Sequence, residues 1–133
     1  MKMYVIYSDE QIIISNTYGY DGQYTGHRYV ECNFIVKGIS KNRPENPYYV
    51  EVKTTSKIAT GSIVYVVIAR YCDGGTFSTT HGLGQIINVF ANHNDAKILK
   101  QQILDGLYTG HKEWGHYFSK LEGVDIESLL FNE

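Results

Sequence analysis

The sequence predicts an α+β fold, a mostly antiparallel, twisted or partly closed sheet of about six to eight strands with one packed helix over about 95–105. Three observations support this prediction. Several short segments alternate apolar and polar residues, Gly, Asp and Pro separate them, and a single later segment has helical spacing. At 133 residues the chain is long enough for one domain, 1–133, with its own core.

The first strands are expected in the N-terminal third. Apolar runs at residues 3–7 and 11–15 flank the polar segment SDE, which predicts a small opening hairpin. Residues 16–27, rich in Gly, Tyr and Asp, predict a long exposed loop. From Arg28 to Gly38 apolar and polar residues alternate, as in a half-buried strand.

The middle of the chain predicts the centre of the sheet. Residues 39–47 carry both prolines and form a polar connection, and residues 48–54 alternate again. Behind Gly61, the segment SIVYVVIARY is apolar on both faces until Arg70. Such a strand is typical of the interior of a sheet that is covered on both sides.

The glycine-rich segment YCDGGTFSTTHGLGQ, residues 71–85, admits two interpretations. Asp73-Gly74 is a hairpin dipeptide, residues 76–80 predict the return strand, residues 81–84 a second turn, and residues 85–90 the next strand. A phosphate-binding glycine loop instead requires a helix directly behind it. Because a strand is predicted there, a β-meander is favoured.

One helix follows, and the chain then returns to strand. Asn92 or Asn94 supplies the N-cap and Gly106 ends the helix. Residues 117–121 suit a strand or a helical turn, and residues 124–131 predict a last strand whose end docks on the core. The apolar stripe of the helix comprises Ala96, Ile98, Leu99, Ile103 and Leu104.

Composition and charge argue against several functions. The net charge is −2 and no basic stripe is visible, so nucleic-acid binding is not expected. Cys32 and Cys72 lack CxxC spacing and are expected to be buried thiols in a reducing compartment. Neither a targeting segment nor a membrane-spanning run is evident, so a cytoplasmic protein is predicted. No cofactor is expected.

The motifs for metal and nucleophilic chemistry are weak. His111, Glu113 and His116 lack the spacing of a metalloprotease helix, and Gly115 argues against a helix there. Ser78 and His81 lie three residues apart with Cys72 nearby, but no nucleophile elbow is present. Near the C-terminus, Glu122, Asp125 and Glu127 are best explained as a solvated face.

Arg70 is the most unusual residue of the central strand. Charged residues rarely enter such a strand unless they are paired or functional. One interpretation is a pocket for an anionic or planar ligand, because guanidinium binds phosphate and stacks on rings. The other is an exposed arginine at the strand end, paired with Asp73. In the first interpretation the ligand-binding residues are Arg70, Tyr71, Thr76, Ser78 and His81.

A protein partner has different candidate anchors. The tyrosine content, 12 Tyr in the chain, suits half-buried strands and also binding surfaces. The only tryptophan lies in a Gly-containing loop, where it is either an exposed anchor or a core plug. The candidate anchors are Trp114, His116 and Tyr117, together with Tyr18, Tyr20 and Tyr24 in the earlier loop.

Three segments, RYCDGGTFSTTHG, VFANHNDAKIL and KEWGHYFSKLEGVDIE, resemble small uncharacterised accessory proteins of tailed phages of Gram-positive hosts. The resemblance spans about residues 64–127 and carries no functional residue. It implies a short accessory protein that blocks a host process, such as antiviral defence, by stoichiometric binding inside the host cytoplasm.

Three functions follow as hypotheses. The leading one is a non-enzymatic protein that inhibits a host protein by occupying its surface. The second is sequestration of an anionic or nucleotide-like small molecule in a pocket lined by Tyr and Arg, and the third is a small hydrolase. The sequence leaves open whether the chain forms a homo-oligomer.

Overall fold

The structure, a computed structural model, describes residues 1–18, 24–74, 78–107 and 119–132, and the side chains of 1–10, 31–74, 80–107 and 120–132. Within these ranges the chain forms strands and one helix, in the order β1 (Lys2–Tyr18), β2 (Tyr24–Ser40), β3 (Tyr49–Lys53), β4 (Ile63–Gly74), β5 (Ser78–Phe90), α1 (His93–Leu104) and β6 (Ser119–Leu130).

The strands form one open, mixed sheet in the order β3-β1-β2-β5-β4-β6. Four of its neighbouring pairs are antiparallel, and β2 and β5 run parallel over residues 28–31 and 78–81. The predicted α+β class and mostly antiparallel sheet are confirmed. The parallel pair, which joins two antiparallel units of three strands, was not predicted.

The predicted opening hairpin is wrong, because β1 continues through the polar segment SDE. Ser8, Asp9 and Glu10 pair with Ile35, Phe34 and Asn33 of β2. Asp9 and Glu10 are exposed, so a strand at the surface can hold them without burying charge. The predicted long loop is also shorter, since β1 and β2 pair as far as Tyr18 and Tyr24.

The antiparallel hairpin predicted around Asp73-Gly74 forms between β4 and β5, but the predicted turn position is wrong, because both residues lie within β4 and pair with Thr80 and Thr79. The second turn predicted at residues 81–84 is wrong. Strand β5 runs through this segment, and Gly82 has a φ of +74° beside an irregularity in the β4–β5 pairing. The glycines therefore bend a strand and do not end it.

The main core lies on one face of the sheet. Phe131 is fully buried there, which confirms that the C-terminal segment docks on the core. Strands from both halves of the sheet contribute, so the sheet curls around this face. The other buried members are Met3, Val5, Phe34, Val36, Val52, Ile58, Val64, Val66, Ile68, Ile86 and Val89.

A second, smaller core lies under α1 on the opposite face, where Ala96 and Ile103 pack with Val67 of β4 and Val124 of β6. The Asn92 side chain caps the helix by accepting from the Asn94 amide. The stripe predicted from the sequence is too wide, because Ile98 is 52% and Leu104 is 47% exposed.

Helix geometry explains the exposure of Ile98. At about 100° per residue, Ile98 lies about 200° around the helix from Ala96, which faces the sheet.

Within the described ranges, no helix has both the length and the apolar character needed to span a bilayer.

Candidate functional site

The junction of the two antiparallel units leaves a groove in the sheet. Pairing between β2 and β5 extends to Glu31 and His81, and in the described strands no pairs follow beyond these residues. The curl of the sheet then brings β3, the end strand, opposite β5. Thr54, which follows β3, donates its hydroxyl to the Val89 carbonyl of β5 (2.7 Å). This hydrogen bond ties the two strands together at one point.

The β3–β5 groove, as we call this opening, has a volume of about 410 Å³. Side chains of successive residues in a strand point to opposite faces, so side chains alone would line a wall with every second residue. A wall lined by consecutive residues is therefore formed by the backbone edge of the strand. Both walls are of this kind. The lining residues are Val50, Glu51, Val52 and Lys53 of β3, Gly84, Gln85, Ile86, Ile87 and Asn88 of β5, and Tyr7, Asp9 and Phe34.

The hydrogen bonds of Thr54 show which backbone groups of β3 face the groove. Thr54 and Met1 exchange both main-chain hydrogen bonds, at 2.9 and 3.0 Å. In an antiparallel ladder alternate residues point their N–H and C=O groups at the partner strand. Val52 and Val50 therefore face β1, whereas the N–H and C=O groups of Glu51 and Lys53 face the groove.

On the β5 side, the main-chain groups of Val89 form hydrogen bonds with side chains. Its N–H donates to Asn88 Oδ1 (2.8 Å), and its C=O accepts from Thr54. A strand partner would normally satisfy both groups. Near Val89 the edge of β5 is thus satisfied by side chains instead of by a strand. The groove begins at this end and extends away from it.

Stacked aromatic rings form the floor of the groove. The rings of Tyr7 and Phe34 lie 5.1 Å apart at an interplanar angle of 22°. The absence of a side chain at Gly84 leaves space for the Phe34 ring, because a Cβ at this position would lie 2.6 Å from Phe34 Cγ. The glycine that the sequence suggested for a turn thus makes room for a ring on the strand.

Arg70 lies beside this floor and is held by an ion-pair network. Its guanidinium carbon lies 5.6 Å from the centroid of the Phe34 ring. The N–H groups of Arg70 donate hydrogen bonds to Asp125 Oδ2 (2.9 Å), Glu127 Oε1 (3.0 Å) and the Phe34 carbonyl (2.9 Å). Asp125 and Glu127, which we expected to be a plain solvated face, are its partners, and this network offsets the charge of Arg70.

Replacing Arg70 with methionine is expected to destabilise the protein. The change leaves two carboxylates and the Phe34 carbonyl without their donor, at a cost of about 2 kcal/mol, discounted because Asp125 is 57% exposed. Urea unfolding measures the loss. The triple variant with Asp125→Asn and Glu127→Gln is the control, since it removes the carboxylates and should recover part of the stability. No recovery would show that the loss does not come from carboxylates left without a donor.

Tyr71 and His81, two of the other predicted ligand-binding residues, lie apart from the groove. Tyr71 and His81 are half-buried on β4 and β5, and the backbone of Ser78 pairs with Arg28. Thr76 lies outside the described residues. Of the described side chains in this set, Arg70, Tyr71 and His81 do not line the groove, and the ligand-binding role remains a prediction.

The predicted partner anchors are only partly described. Tyr18 and Tyr24 pair at the end of the β1–β2 hairpin, and their side chains lie outside the described ones. Trp114, His116, Tyr117 and Tyr20 lie outside the described residues, so their role also remains a prediction.

No local sequence pattern indicates the groove, because an edge depends on pairing between distant strands. Cys32 is buried as expected, whereas Cys72 is only half-buried, and no disulfide joins them. Comparisons with protein-family models, with curated proteins and with solved structures gave no match.

Proposed function

We propose that this chain is a non-enzymatic binding protein that blocks a target protein by stoichiometric binding. An extended segment of the target adds as a strand in the β3–β5 groove. The observation that supports the proposal is the pair of strand edges that face each other across an aromatic floor. In β-augmentation, main-chain hydrogen bonds give affinity and side-chain pockets give selectivity.

The dimensions of the groove are compatible with a short extended segment. With a rise of about 3.3 Å, a strand spacing of about 4.8 Å and a sheet spacing of about 10 Å, one extended residue fills roughly 160 Å³. A groove of about 410 Å³ thus encloses two to three residues. The remaining residues of a bound segment would extend beyond its open end.

Charge favours a peptide over an anionic small molecule. The charged residues that line the groove are Asp9, Glu51 and Lys53, whose formal charges sum to −1. Sequestration of a planar small molecule is the second candidate, supported by the Tyr7–Phe34 ring pair. A host protein as the target follows from the phage-protein resemblance and belongs to the same proposal.

The test is a selection of random linear peptides on the purified chain, followed by affinity measurement. Lys53→Pro removes an N–H that faces the groove and leaves the hydrogen bonds to β1 intact, as proline permits on an edge strand. We expect it to weaken selected peptides about tenfold, the effect of one main-chain hydrogen bond of about 1.4 kcal/mol. Lys53→Ala keeps the amide and controls for the lost side chain.

Two results would contradict strand addition. The first is equal affinity of Lys53→Pro and Lys53→Ala for every selected peptide. The second is full binding by peptides that are N-methylated at alternate residues, in both registers, since these lack the necessary donors. If no peptide is selected but a planar small molecule binds and perturbs Tyr7, the second candidate is supported instead.

A further inference from the structure

Three potential metal ligands meet on the half of the sheet formed by β5, β4 and β6. They are Cys72 of β4, His81 of β5 and Glu122 of β6, and their ligand atoms all lie within 4.8 Å of one another. His81 Nδ1 lies 3.4 Å from Glu122 Oε2. None of the three lines the β3–β5 groove, so this cluster is a separate feature of the molecule.

Irregularities in the strand pairing bring these side chains together. The β4–β5 register shifts between Tyr71 and Asp73, beside Cys72. The β4–β6 register shifts between Arg70 and Tyr71, which pair with Gly123 and Leu121, so Glu122 is the extra residue. Bulges turn a side chain out of its regular alternation and are frequent beside functional sites.

We propose that Cys72, His81 and Glu122 bind one Zn²⁺ ion. In tetrahedral zinc sites the Zn–S, Zn–N and Zn–O distances are about 2.3, 2.0 and 2.1 Å, which place neighbouring ligand atoms roughly 3.3–3.6 Å apart. The His81–Glu122 pair already has this separation. The remaining distances need to shorten by about 1 Å, which side-chain rotation of partly exposed residues can supply.

The ligand set selects the metal class. A thiolate and an imidazole favour zinc and related transition metals over Mg²⁺ and Ca²⁺, which prefer oxygen ligands. The side chains of His81 and Glu122 are 31% and 39% exposed, so an ion has access. Three protein ligands leave the fourth position of the ion to water or to an exogenous ligand.

Cobalt titration of the full chain tests the site, with Co²⁺ as a spectroscopic probe for Zn²⁺. After chelator treatment under reducing conditions, we expect one Co²⁺ per chain and a sulfur-to-cobalt absorption band that Zn²⁺ abolishes. Cys72→Ser should remove the band, and Glu122→Gln should weaken binding at least about tenfold, the lower limit seen when even an outer-shell partner is lost. The buried thiol of Cys32 provides the control, since Cys32→Ser should keep the band.

Folding of each variant is checked by its thermal midpoint, and Zn²⁺ should raise that midpoint for the wild type but not for Cys72→Ser. The double variant His111→Ala/His116→Ala should retain metal binding. Loss of the sulfur-to-cobalt band in this double variant, or persistence of the band in Cys72→Ser, would overturn the assignment. Absence of a band together with rapid alkylation of Cys72 that depends on His81 would identify a thiol–imidazole pair instead of a metal site.

Discussion

Replacing Gly82 with alanine is expected to destabilise the protein by about 3 kcal/mol, from a left-handed backbone cost of about 1–2 kcal/mol and a similar steric cost. Gly82 has a φ of +74°, and a Cβ there would overlap the main-chain carbonyl oxygen of Cys32 in β2. A backbone atom cannot rotate away as a side chain can. The methyl group therefore pushes β5 from β2 directly beside the parallel pairs that join the two units of the sheet.

Substitutions at two other glycines allow the backbone cost and the steric cost to be measured separately. Gly106 has a φ of +73° with nothing within 4 Å of its built Cβ, so Gly106→Ala should lose only the backbone part, about 1 kcal/mol. Gly123 has open space and no positive φ, so Gly123→Ala should change stability little. Urea unfolding of the three variants is the measurement. Equal losses for Gly82→Ala and Gly106→Ala would contradict the close approach of β5 to β2.

Replacing Ile103 with aspartate is expected to abolish stable folding or to cost at least about 4 kcal/mol. Ile103 is 4% exposed and packs under α1 against the sheet. Aspartate would place a carboxylate in this apolar layer, and no partner for it lies within the cluster of described residues. The cost combines the lost burial of isoleucine with the desolvation of the charge.

Ile98→Asp on the same helix is the matched control. Ile98 is 52% exposed, so aspartate at this position remains in water and should cost less than about 1 kcal/mol. Thermal melts of both variants, followed by circular dichroism at the same protein concentration, compare the two positions. Similar losses would show that α1 packs through a different face from the one containing Ala96 and Ile103.

Local patterns predicted the fold class and several elements correctly. Alternation located β3 and the core of β2, and the apolar run located β4. Asn92, one of two candidate caps, and Gly106 marked the ends of the helix. Failures occurred where tertiary pairing overrode a local signal. The segment SDE continues β1 because β2 supplies its hydrogen bonds, and Gly82 bends β5 without ending it. Both effects depend on strands that are distant in the sequence.

The candidate sites were less predictable for the same reason. Arg70 was correctly singled out as unusual, but its partners Asp125 and Glu127 lie 55 and 57 residues away. The exposed edge at Glu51 and Lys53 depends on the sheet order. Cys72, His81 and Glu122 approach one another through irregular pairing, and irregularities of this kind leave no clear spacing in the sequence.

Amide hydrogen exchange along β3, measured by NMR with and without a selected peptide, tests the proposed groove most directly. In the free protein, we expect slow exchange at Val50 and Val52, which bond to β1, and fast exchange at Glu51 and Lys53, which face the groove. Saturating peptide should slow exchange at Glu51 and Lys53. Slow exchange at these two amides in the free protein, or unchanged fast exchange with peptide bound, would contradict strand addition between β3 and β5.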